Sequence, residues 1–398
     1  MTPQLRFPEF TDEWRVKRLG DIAEFSKGSS ISKNDIHENG KIEAIRYGEL
    51  YTTYNEIIDE VKSKTSLSPN GLKFSKANDV IIPASGETAI DIATASCVLR
   101  DNIALGGDLN IIRTQNNGVF MAYLLNNKKK NDIARLAQGV SVIHLYSSNL
   151  KDLVLNLPSK PEQEKIADFL TAVDERIRLQ EQKLAKLEQY KRGVMQQIFS
   201  QKIRFKDENG NEYPEWGEKK LGSIVKEVNE KTDESNKYET LSSTTKGLFS
   251  QREYFNKNIA SEDNSGYKIL RINQVVFSPQ NLWMGNINYN DRFEEGIVSP
   301  SYKIFKPVNV VEDFLKQILK TNRMLYEYTQ ASEQGASIVR RNLDISSFLN
   351  IRILLPSLEE QQKIATFLTA LDDKITAEKS KLTAAREFKK ALLQRMFV

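Results

Sequence analysis

Two stretches of the chain repeat apolar residues at alternating steps of three and four, each over about five heptads. Charged and polar residues fill most of the other positions, so each apolar stripe is narrow, which is typical of a coiled-coil seam. The pattern predicts two long helices that pair with each other, although a long surface helix packed on its own domain is an alternative. The seam positions are Ile166, Leu170, Val173, Ile177, Leu184, Leu187, Val194 and Ile198 in the first stretch, and Ile364, Leu368, Leu371, Ile375, Leu382, Ala385, Leu392 and Met396 in the second.

Polar residues interrupt both stripes, at Gln180 and Lys191 in the first and at Glu378 and Lys389 in the second. A polar residue within a seam fixes the register of the two helices at some cost in stability. If the helices run antiparallel about a pseudo-twofold axis, Lys191 faces Glu378 and Gln180 faces Lys389. We therefore expect an antiparallel pair with these two polar matches.

The two stretches are copies of one another. Leu157–Ser200 and Leu355–Val398 align at a constant offset of 198, with 19 identities in 44 positions, including the opening Leu-Pro-Ser and a Glu-Gln pair. A fixed internal offset with this many identities indicates duplication. A second match precedes each variable region: Arg6-Phe7, Trp14 and Leu19-Gly20 correspond to Arg204-Phe205, Trp216 and Leu221-Gly222.

Between these matching parts, residues 25–150 and 225–350 share almost nothing. A chain with similar framing and different contents is suited to hold two different recognition surfaces in equivalent positions. The predicted organisation is a recognition domain at 1–156, a helical spacer at 157–203, a second recognition domain at 204–354 and a second spacer at 355–398.

Both variable regions have the strand-like and helical runs of an α+β fold. We expect strands at Lys41–Leu50, Asp79–Pro83, Ala95–Leu99 and Leu109–Arg113, followed by a helix at Val119–Asn127. In the second region we expect strands at Tyr267–Phe277, Asn286–Tyr289 and Ile297–Phe305, followed by a helix at Val311–Tyr328. The fold class is therefore α+β, with two domains separated by an antiparallel, pseudo-twofold helix pair.

Polar and aromatic side chains gather in the connecting stretches of both variable regions. Such side chains hydrogen-bond base edges and phosphates, and arginine suits guanine best. The alternative for any one of them is a solvated surface residue, and Tyr47 is equally suited to packing. The Arg340-Arg341 pair is the strongest candidate. The full candidate set is Lys27, Arg46, Tyr47, Ser85, Thr88, Ser141 and His144 in the first region, and Thr244, Lys246, Arg271, Gln280, Asn281, Trp283, Ser337, Arg340 and Arg341 in the second.

Composition adds little support for nucleic-acid binding. Lysine and arginine number 57 against 53 acidic residues, a net charge of +4 over 398 residues. Residues 1–155 carry 19 basic and 19 acidic side chains, and residues 201–355 carry 22 and 21. A binder that relied on its own charge to fill a groove would be more basic. Positive charge must therefore gather on one face or come from a partner.

The sequence also predicts a cytoplasmic protein. No run of about 18 apolar residues is present, and residues 1–13 lack the apolar core of a secretory signal. The single cysteine, Cys97, cannot form a disulfide within the chain, which fits a reducing compartment. It lies in an apolar run and is interpreted as buried core rather than as a nucleophile.

Catalytic motifs are missing. The chain has no phosphate-binding G-x-x-x-x-G-K-[ST] loop, no Pro-Pro and no Pro-Asp dipeptide, so the usual signatures of motor ATPases, aminomethyltransferases and nucleases are not there. Only His37 and His144 are available for histidine chemistry, and neither has metal-ligand spacing. We therefore expect no catalysis, no metal and no cofactor bound by this chain.

Two divergent regions, each followed by a Leu-Pro-Ser helix with Glu-Gln and Lys-Ile-Ala-x-Phe-Leu (Lys165–Leu170 and Lys363–Leu368), resemble the specificity subunits of Type I restriction-modification enzymes. The resemblance covers the whole chain. It implies that each region reads one half of a bipartite double-stranded DNA target and that the helices set the unread spacer.

The resemblance also implies partners. Two modification subunits, which bind S-adenosylmethionine and methylate adenine, dock on such a chain, and two motor-nuclease subunits that use ATP and Mg²⁺ join in the full complex. No membrane is involved. Two other functions stay open from the residues: a coiled-coil adaptor that does not touch DNA, and the recognition module of a Type II-like nuclease–methyltransferase.

Overall fold

The structure is a computed structural model, and it describes residues 2–255, 263–334 and 340–398. Its contacts divide the chain into two compact units. The first contains residues 1–182 and 380–398, and the second contains residues 183–379. Each unit therefore holds one variable region, the beginning of the long helix that follows it and the end of the other long helix. The sequence analysis predicts domain boundaries at the ends of the long helices. The two compact units instead meet within the long helices.

The first unit is an α+β domain built from short elements. A 3₁₀ helix spans Lys33–Asp35. Its strands are β1 (Arg15–Arg18), β2 (Ala23–Lys27), β3 (Ile42–Ile45), β4 (Ile57–Ile58), β5 (Ser63–Thr65), β6 (Asp79–Pro83), β7 (Ser85–Gly86), β8 (Ser96–Val98), β9 (Ala104–Leu105), β10 (Leu109–Thr114), β11 (Ile143–His144) and β12 (Val154–Leu157). Its helices are α1 (Leu19–Ile22), α2 (Glu49–Thr52), α3 (Ala89–Ile92), α4 (Gly118–Asn127), α5 (Lys130–Leu136), α6 (Ser147–Lys151) and the start of α7 (Lys160–Phe199).

The second unit has the same construction with different contents. 3₁₀ helices span Leu221–Ser223 and Pro279–Met284. Its strands are β13 (Gly217–Lys220), β14 (Val225–Val228), β15 (Leu241–Thr244), β16 (Gly247–Ser250), β17 (Lys268–Arg271), β18 (Val275–Phe277), β19 (Ile287–Tyr289), β20 (Glu295–Val298), β21 (Lys303–Pro307), β22 (Ser332–Gln334), β23 (Arg341–Leu343) and β24 (Arg352–Leu355). Its helices are α8 (Gln251–Phe255), α9 (Glu312–Ile318), α10 (Asn322–Gln330), α11 (Ile345–Asn350) and the start of α12 (Leu358–Arg395).

The main sheets confirm the α+β fold class. In the first unit, five strands lie in the order β2-β10-β6-β8-β4, and a separate sheet has the order β5-β3-β9. In the second unit, four strands lie in the order β14-β21-β18-β19. Central strands such as β6 and β18 are buried along their whole length, which agrees with their β-branched and aromatic residues.

The second region breaks three elements that the sequence predicted as continuous. The strand expected over Tyr267–Phe277 is two strands, β17 and β18, because the chain turns at Asn273, which has a φ of 64°. The strand over Ile297–Phe305 is divided between β20 and β21. The helix over Val311–Tyr328 is α9 followed by α10, and the side chain of Thr321 caps the new helix by accepting from the N–H of Met324.

A two-stranded antiparallel ribbon leads into each long helix. In the first unit β1 pairs with β12, so Arg15 lies opposite Leu157. In the second unit β13 pairs with β24 in the same way, so Gly217 lies opposite Leu355. The segment before each variable region is thus joined to the segment after it, and both ends of the region are fixed at one place.

A buried glutamate sits at the start of each long helix. Glu162 is 1% exposed and accepts two hydrogen bonds from the guanidinium of Arg6, at 2.7 and 2.8 Å, and one from the indole of Trp14 at 3.3 Å. Glu360 is 0% exposed and receives the same contacts from Arg204 and Trp216. Burial of a carboxylate costs free energy, and a two-point hydrogen-bonded ion pair with arginine offsets that cost.

The next residue of each copy ties the long helix to the variable region. Gln163 accepts a hydrogen bond from the N–H of Asn117, the residue that caps α4, and donates to the carbonyl of Pro158. Gln361 accepts from the N–H of Val311, the residue that caps α9, and donates to the carbonyl of Pro356. The Glu-Gln pair of the repeat therefore works as a joint, with one residue holding the preceding segment and the other holding the variable region.

The two long helices run antiparallel in both units. In the first unit, the end of α12 packs beside the start of α7, and Leu392, Met396 and Phe397 share one core with Ile166 and Leu170. In the second unit, Ile198 of α7 shares a core with Ile364 and Leu368 of α12. With 40 and 38 residues, the helices are about 60 and 57 Å long at 1.5 Å per residue. The predicted antiparallel pair is confirmed.

All the predicted seam residues are buried or half-buried, but the expected polar matches are wrong. Lys191 binds Asp372 at 2.6 Å, and Glu378 binds Lys183 at 2.8 Å. Lys389 binds Asp174 and Glu56, while the side-chain oxygen of Gln180 is buried with no hydrogen-bond partner in the described part of the chain. Glu378 pairs with Lys183, eight residues before Lys191, so the two helices pair in a different register from the expected one.

These ion pairs are equivalent in the two copies, because Lys191 and Lys389, and likewise Asp174 and Asp372, are 198 residues apart. Each aspartate also receives a hydrogen bond from its variable region. Tyr123 donates to Asp174 at 2.6 Å, and Gln317 donates to Asp372 at 2.8 Å. Burial lowers the pKa of Lys389, but the charges of Glu56 and Asp174 outweigh it and hold the pKa above its ordinary value. The aspartates thus join three elements each.

Arg6→Ala is expected to lower the free energy of unfolding by about 3 kcal/mol, because it leaves the buried Glu162 carboxylate without its cation. Urea unfolding followed by circular dichroism measures the change. Arg178→Ala is the control, since Arg178 pairs with Glu175 on the exposed surface of α7 and its loss is expected to leave the transition unmoved. Equal effects of the two substitutions would contradict the proposed role of the Glu162 joint.

Lys389→Met is expected to destabilise the protein by about 1 kcal/mol more than Lys191→Met, because it leaves two partly buried carboxylates without a cation rather than one. Methionine keeps the apolar stem of the side chain, so the comparison isolates the charge. The two urea midpoints, measured side by side, test this. If Lys191→Met proves the more damaging, Glu56 does not strengthen the seam.

Candidate nucleic-acid interface

In the first unit, a short ribbon brings three of the candidate residues together. Ser85 of β7 lies directly opposite His144 of β11. The chain before β11 folds back on itself, since Gln138 and His144 exchange backbone hydrogen bonds of 2.9 and 2.7 Å, which places Ser141 in the exposed turn between them. The ring of His144 stacks on Tyr146 with centroids 6.2 Å apart. Ser141 and His144 are exposed on this edge, whereas Ser85 is only 6% exposed and supports the ribbon from below.

The turn itself depends on Gly139. Its φ is 131°, and a Cβ there would lie 2.1 Å from the carbonyl oxygen of Val142, so no other residue fits. The turn exposes 98% of Val140 and 52% of Val142. Apolar side chains beside hydrogen-bonding ones are suited to contact base edges and thymine methyl groups in a DNA groove.

Arg46 and Tyr47 lie between β3 and α2. The N–H of Arg46 donates to the carboxylate of Glu49 at 2.7 Å, and the Nε atom of Arg46 is buried with no hydrogen-bond partner among the residues described. Tyr47 packs partly against the core around Ile45. Tyr51 of α2 has its hydroxyl close to Gly86 of β7. The structure thus gives Tyr47 a packing role, and it is Tyr51 that lies near β7.

The two remaining candidates of the first unit have separate settings. Thr88 caps α3, because its hydroxyl oxygen accepts from the N–H of Asp91 and the hydroxyl donates to the Asp91 carboxylate. Lys27 is exposed at the end of β2. The chain after Lys27 runs against Gly106, which in turn contacts the backbone of Arg46. No direct contact between Lys27 and the β7–β11 ribbon is recorded in the described residues.

In the second unit, one 3₁₀ helix carries three of the nine candidates. Gln280, Asn281 and Trp283 lie on Pro279–Met284, and the guanidinium of Arg341 from β23 lies 4.6 Å above the Trp283 ring. Arg340 precedes Arg341 and is exposed. Stacking on an aromatic ring holds a guanidinium flat and leaves its edge free to donate. Ser337 lies outside the described residues.

A polar network connects this helix to the turn after β15. The amine of Lys320 donates to the carbonyl of Gly285 at 3.2 Å and to the side chain of Asn288 at 3.0 Å. Asn288 donates in turn to the hydroxyl of Ser243 and to the carbonyl of Thr244, both at 2.8 Å. The network therefore places Thr244 close to the 3₁₀ helix that carries Trp283.

Sequence reasoning missed Lys320, Asn288 and Ser243. A signal was available, because asparagines alternate at Asn286, Asn288 and Asn290, on β19 and directly beside its two ends, and asparagine is depleted in strands. Part of the Lys320 side chain stays exposed, but the burial of its amine end lowers the pKa to about 8. A lysine held in this way positions its neighbours and contributes a weaker charge than a fully solvated lysine above pH 8.

Two candidates are already engaged within the second unit. Arg271 is bound to Glu230 at 2.6 Å and to Glu295 at 2.9 Å, so both sides of its guanidinium are paired. Thr244 closes a tight turn by donating to the carbonyl of Gly247 and accepting from the N–H of Lys246. Lys246 itself is exposed at the tip of that turn. Of these three residues, Lys246 is the one whose side chain projects from the surface.

The residues described contain no cluster of three or more histidine, cysteine, aspartate or glutamate side chains that could hold a metal ion. Cys97 is buried, and burial raises the pKa of its thiol to about 12, so it stays protonated at neutral pH. Over the same residues, no helix combines the length and the apolar character needed to cross a bilayer.

Comparison with known proteins gives one consistent result. The family model for the type I restriction-modification DNA specificity domain matches twice, at residues 11–189 and 213–385. A putative type I restriction enzyme specificity subunit of Methanocaldococcus jannaschii, MjaX, is 24% identical over 97% of this chain and 93% of its own length. The MjaVIII specificity subunit of the same organism is 23% identical over 98% and 92%.

Solved structures share the fold. The S subunit of a type I restriction-modification system from M. genitalium matches over 100% of this chain and 99% of its own, with a TM-score of 0.62 and 18% identity. A chain from a study of complex assembly and conformational transition in the type I restriction-modification system matches over 98% of both chains, with a TM-score of 0.56 and 15% identity.

A duplicated frame around two divergent α+β regions, each with a polar edge, defines a two-domain recognition protein. The chain belongs to the family of type I restriction-modification specificity subunits and carries two DNA specificity domains. The resemblance noted in the sequence is confirmed. Proteins of this class are generally non-catalytic, which agrees with the motifs missing from the sequence.

Proposed function

We propose that each specificity domain reads one half of a bipartite double-stranded DNA target, with recognition regions at 1–156 and 204–354. The observation that carries the proposal is the contrast between frame and contents. The Arg6–Glu162–Trp14 joint recurs as Arg204–Glu360–Trp216, whereas the surfaces it supports differ: an exposed Ser141–His144 turn in one unit and an Arg341–Trp283 stack in the other. Equivalent supports with different readers suit two different half-sites.

The long helices set the unread spacer in this proposal and dock the partner subunits. Each is continuous over 38 to 40 residues, and its register is held by ion pairs in the seam. In this proposal, helices of this length correspond to half-sites about one helical turn of DNA apart or somewhat more. The near-neutral recognition regions also favour partners that supply positive charge around the DNA.

The partners in this proposal are two modification subunits, which bind S-adenosylmethionine and methylate adenine, and two motor-nuclease subunits, which use ATP and Mg²⁺. The chain itself contributes recognition and assembly, and the complex works in the cytoplasm. The distance and orientation at which the chain holds its partners decide which adenines they methylate.

A chimaera tests the proposal. Residues 225–350 are replaced by the corresponding region of another specificity subunit, and methylated adenines are mapped across the genome of cells that express the chimaera with its modification subunits. One half-site is expected to change, while the other half-site and the spacer length stay as in the parent. The parent chain is the control. An unchanged target would favour an adaptor without DNA recognition, and a changed spacer would contradict the role of the helices.

Arg341→Ala is expected to weaken binding of the assembled complex to its target by about 1–3 kcal/mol and to relax selectivity at one base pair of the second half-site. Fluorescence anisotropy with the target and with single-base variants measures both effects at fixed salt. Arg271→Ala is the matched control, because Glu230 and Glu295 already occupy its guanidinium. A larger loss of DNA affinity for Arg271→Ala, with the fold intact, would place base recognition elsewhere.

A further inference from the structure

Tyr190 and Phe388 are large aromatic residues that lie exposed on the long helices. Tyr190 of α7 is 53% exposed and Phe388 of α12 is 54% exposed. They are 198 residues apart, so they occupy the same position in the two copies of the repeat. Neither ring contacts another aromatic ring or a cation in the described residues. About half of each side chain is therefore left uncovered by the described residues.

Other exposed apolar residues on these helices do not recur. Leu179 is 51% exposed, but its counterpart in the second copy is Ala377. Leu358 is 52% exposed, and its counterpart in the first copy is Lys160. Scattered exposed apolar residues are ordinary on protein surfaces. An aromatic residue displayed to the same extent in both copies is different, because two diverged copies have kept it without an internal contact to maintain.

The surroundings of the two rings also match. Each aromatic residue is followed by a lysine that belongs to the seam and then by a second cation, Arg192 or Lys390, which is exposed and has no ion pair within the described residues. Three residues after each ring, on the same helical face, stands a small residue, Gly193 or Ala391. A side chain at Gly193 would meet nothing within 4 Å, so the surface there is open.

In the second unit this surface borders a groove. Gln189, Arg192 and Gly193, which flank Tyr190, line a cavity of about 790 Å³ whose floor includes Trp216 and Met324. The opposite wall carries Arg323, and no acidic side chain lines the cavity. An aromatic anchor beside a cationic, partly apolar groove fits a protein surface that offers an apolar pocket with a carboxylate rim.

We propose that Tyr190 and Phe388 anchor two copies of the same protein partner, one on each unit, and that this partner is the modification subunit. The inference rests on the proposed function for the identity of the partner. The main support for the inference is that the site is repeated. Two equivalent anchors in one chain are better explained by two copies of one partner than by two unrelated partners. Arg192 and Lys390 then pair with acidic residues at the rim of the partner's pocket.

Native mass spectrometry of the full chain purified with its modification subunits tests this. Tyr190→Ala and Phe388→Ala are each expected to give complexes with one modification subunit, and the double variant complexes with none at concentrations that saturate the parent. Dissociation constants are expected to rise at least about tenfold per site, as for aromatic anchors elsewhere. Tyr190→Phe keeps the ring found in the second copy and is expected to retain both subunits.

Leu179→Ala removes an equally exposed apolar side chain from the same helix and is expected to leave the stoichiometry unchanged. If circular dichroism shows that an alanine variant loses helix, Arg192→Glu and Lys390→Glu replace it and are expected to weaken binding at the corresponding site. Two bound subunits in the double variant would overturn the inference. So would dimerisation of the isolated chain that Tyr190→Ala abolishes, because the anchor would then belong to a contact between copies.

The two proposals fail separately. If the double alanine variant binds both modification subunits while the chimaera still changes one half-site, the aromatic anchors are wrong and the proposed function stands. If the parent chain recruits no modification subunit at all, the proposed function itself is contradicted.

Discussion

The architecture depends on a charge that is removed from water. Glu162 and Glu360 begin the long helices with exposures of 1% and 0%, and a carboxylate in that position needs a cation and further hydrogen bonds. Arg6 and Trp14, or Arg204 and Trp216, supply them. Because the cation comes from the segment before the variable region, the helix cannot form its buried start without that segment. The neighbouring glutamine, Gln163 or Gln361, then binds the N-terminus of a helix in the variable region, α4 or α9.

This arrangement separates what the copies share from what they vary. Sheet order, loop lengths and surface residues differ between the units, whereas the ribbon, the buried glutamate and the seam lysine recur at fixed offsets. Recognition residues lie on turns and short helices held by this frame, where substitutions disturb the core least. A new reading surface can therefore be accepted without rebuilding the joint that orients it.

Much of the frame could be predicted from the sequence, because it depends on periodicity and repetition. The seam positions, the antiparallel pairing and the strand Asp79–Pro83 needed only local pattern. The polar matches could not be predicted, since the register of the helix pair depends on tertiary packing, and that register places Asp372 and Asp174 beside the seam lysines. The sequence indicates single candidate residues for the recognition surface, but not which of them associate. The Arg341–Trp283 stack joins residues 58 positions apart, and the Lys320–Asn288–Ser243 network becomes visible only when the sheet has formed.

The division of the long helices between the units has a consequence for the time order of folding. The core of the first unit includes Leu392, Met396 and Phe397, and Phe397 packs between Trp14 and Phe120. A ribosome delivers these residues only after it has synthesised the entire second unit. The core of the first unit therefore lacks Phe397 at a time when every residue of the second unit has been synthesised. Translation order makes the second unit the first that can be completed, and exposed apolar surface of the kind left in the first unit favours aggregation.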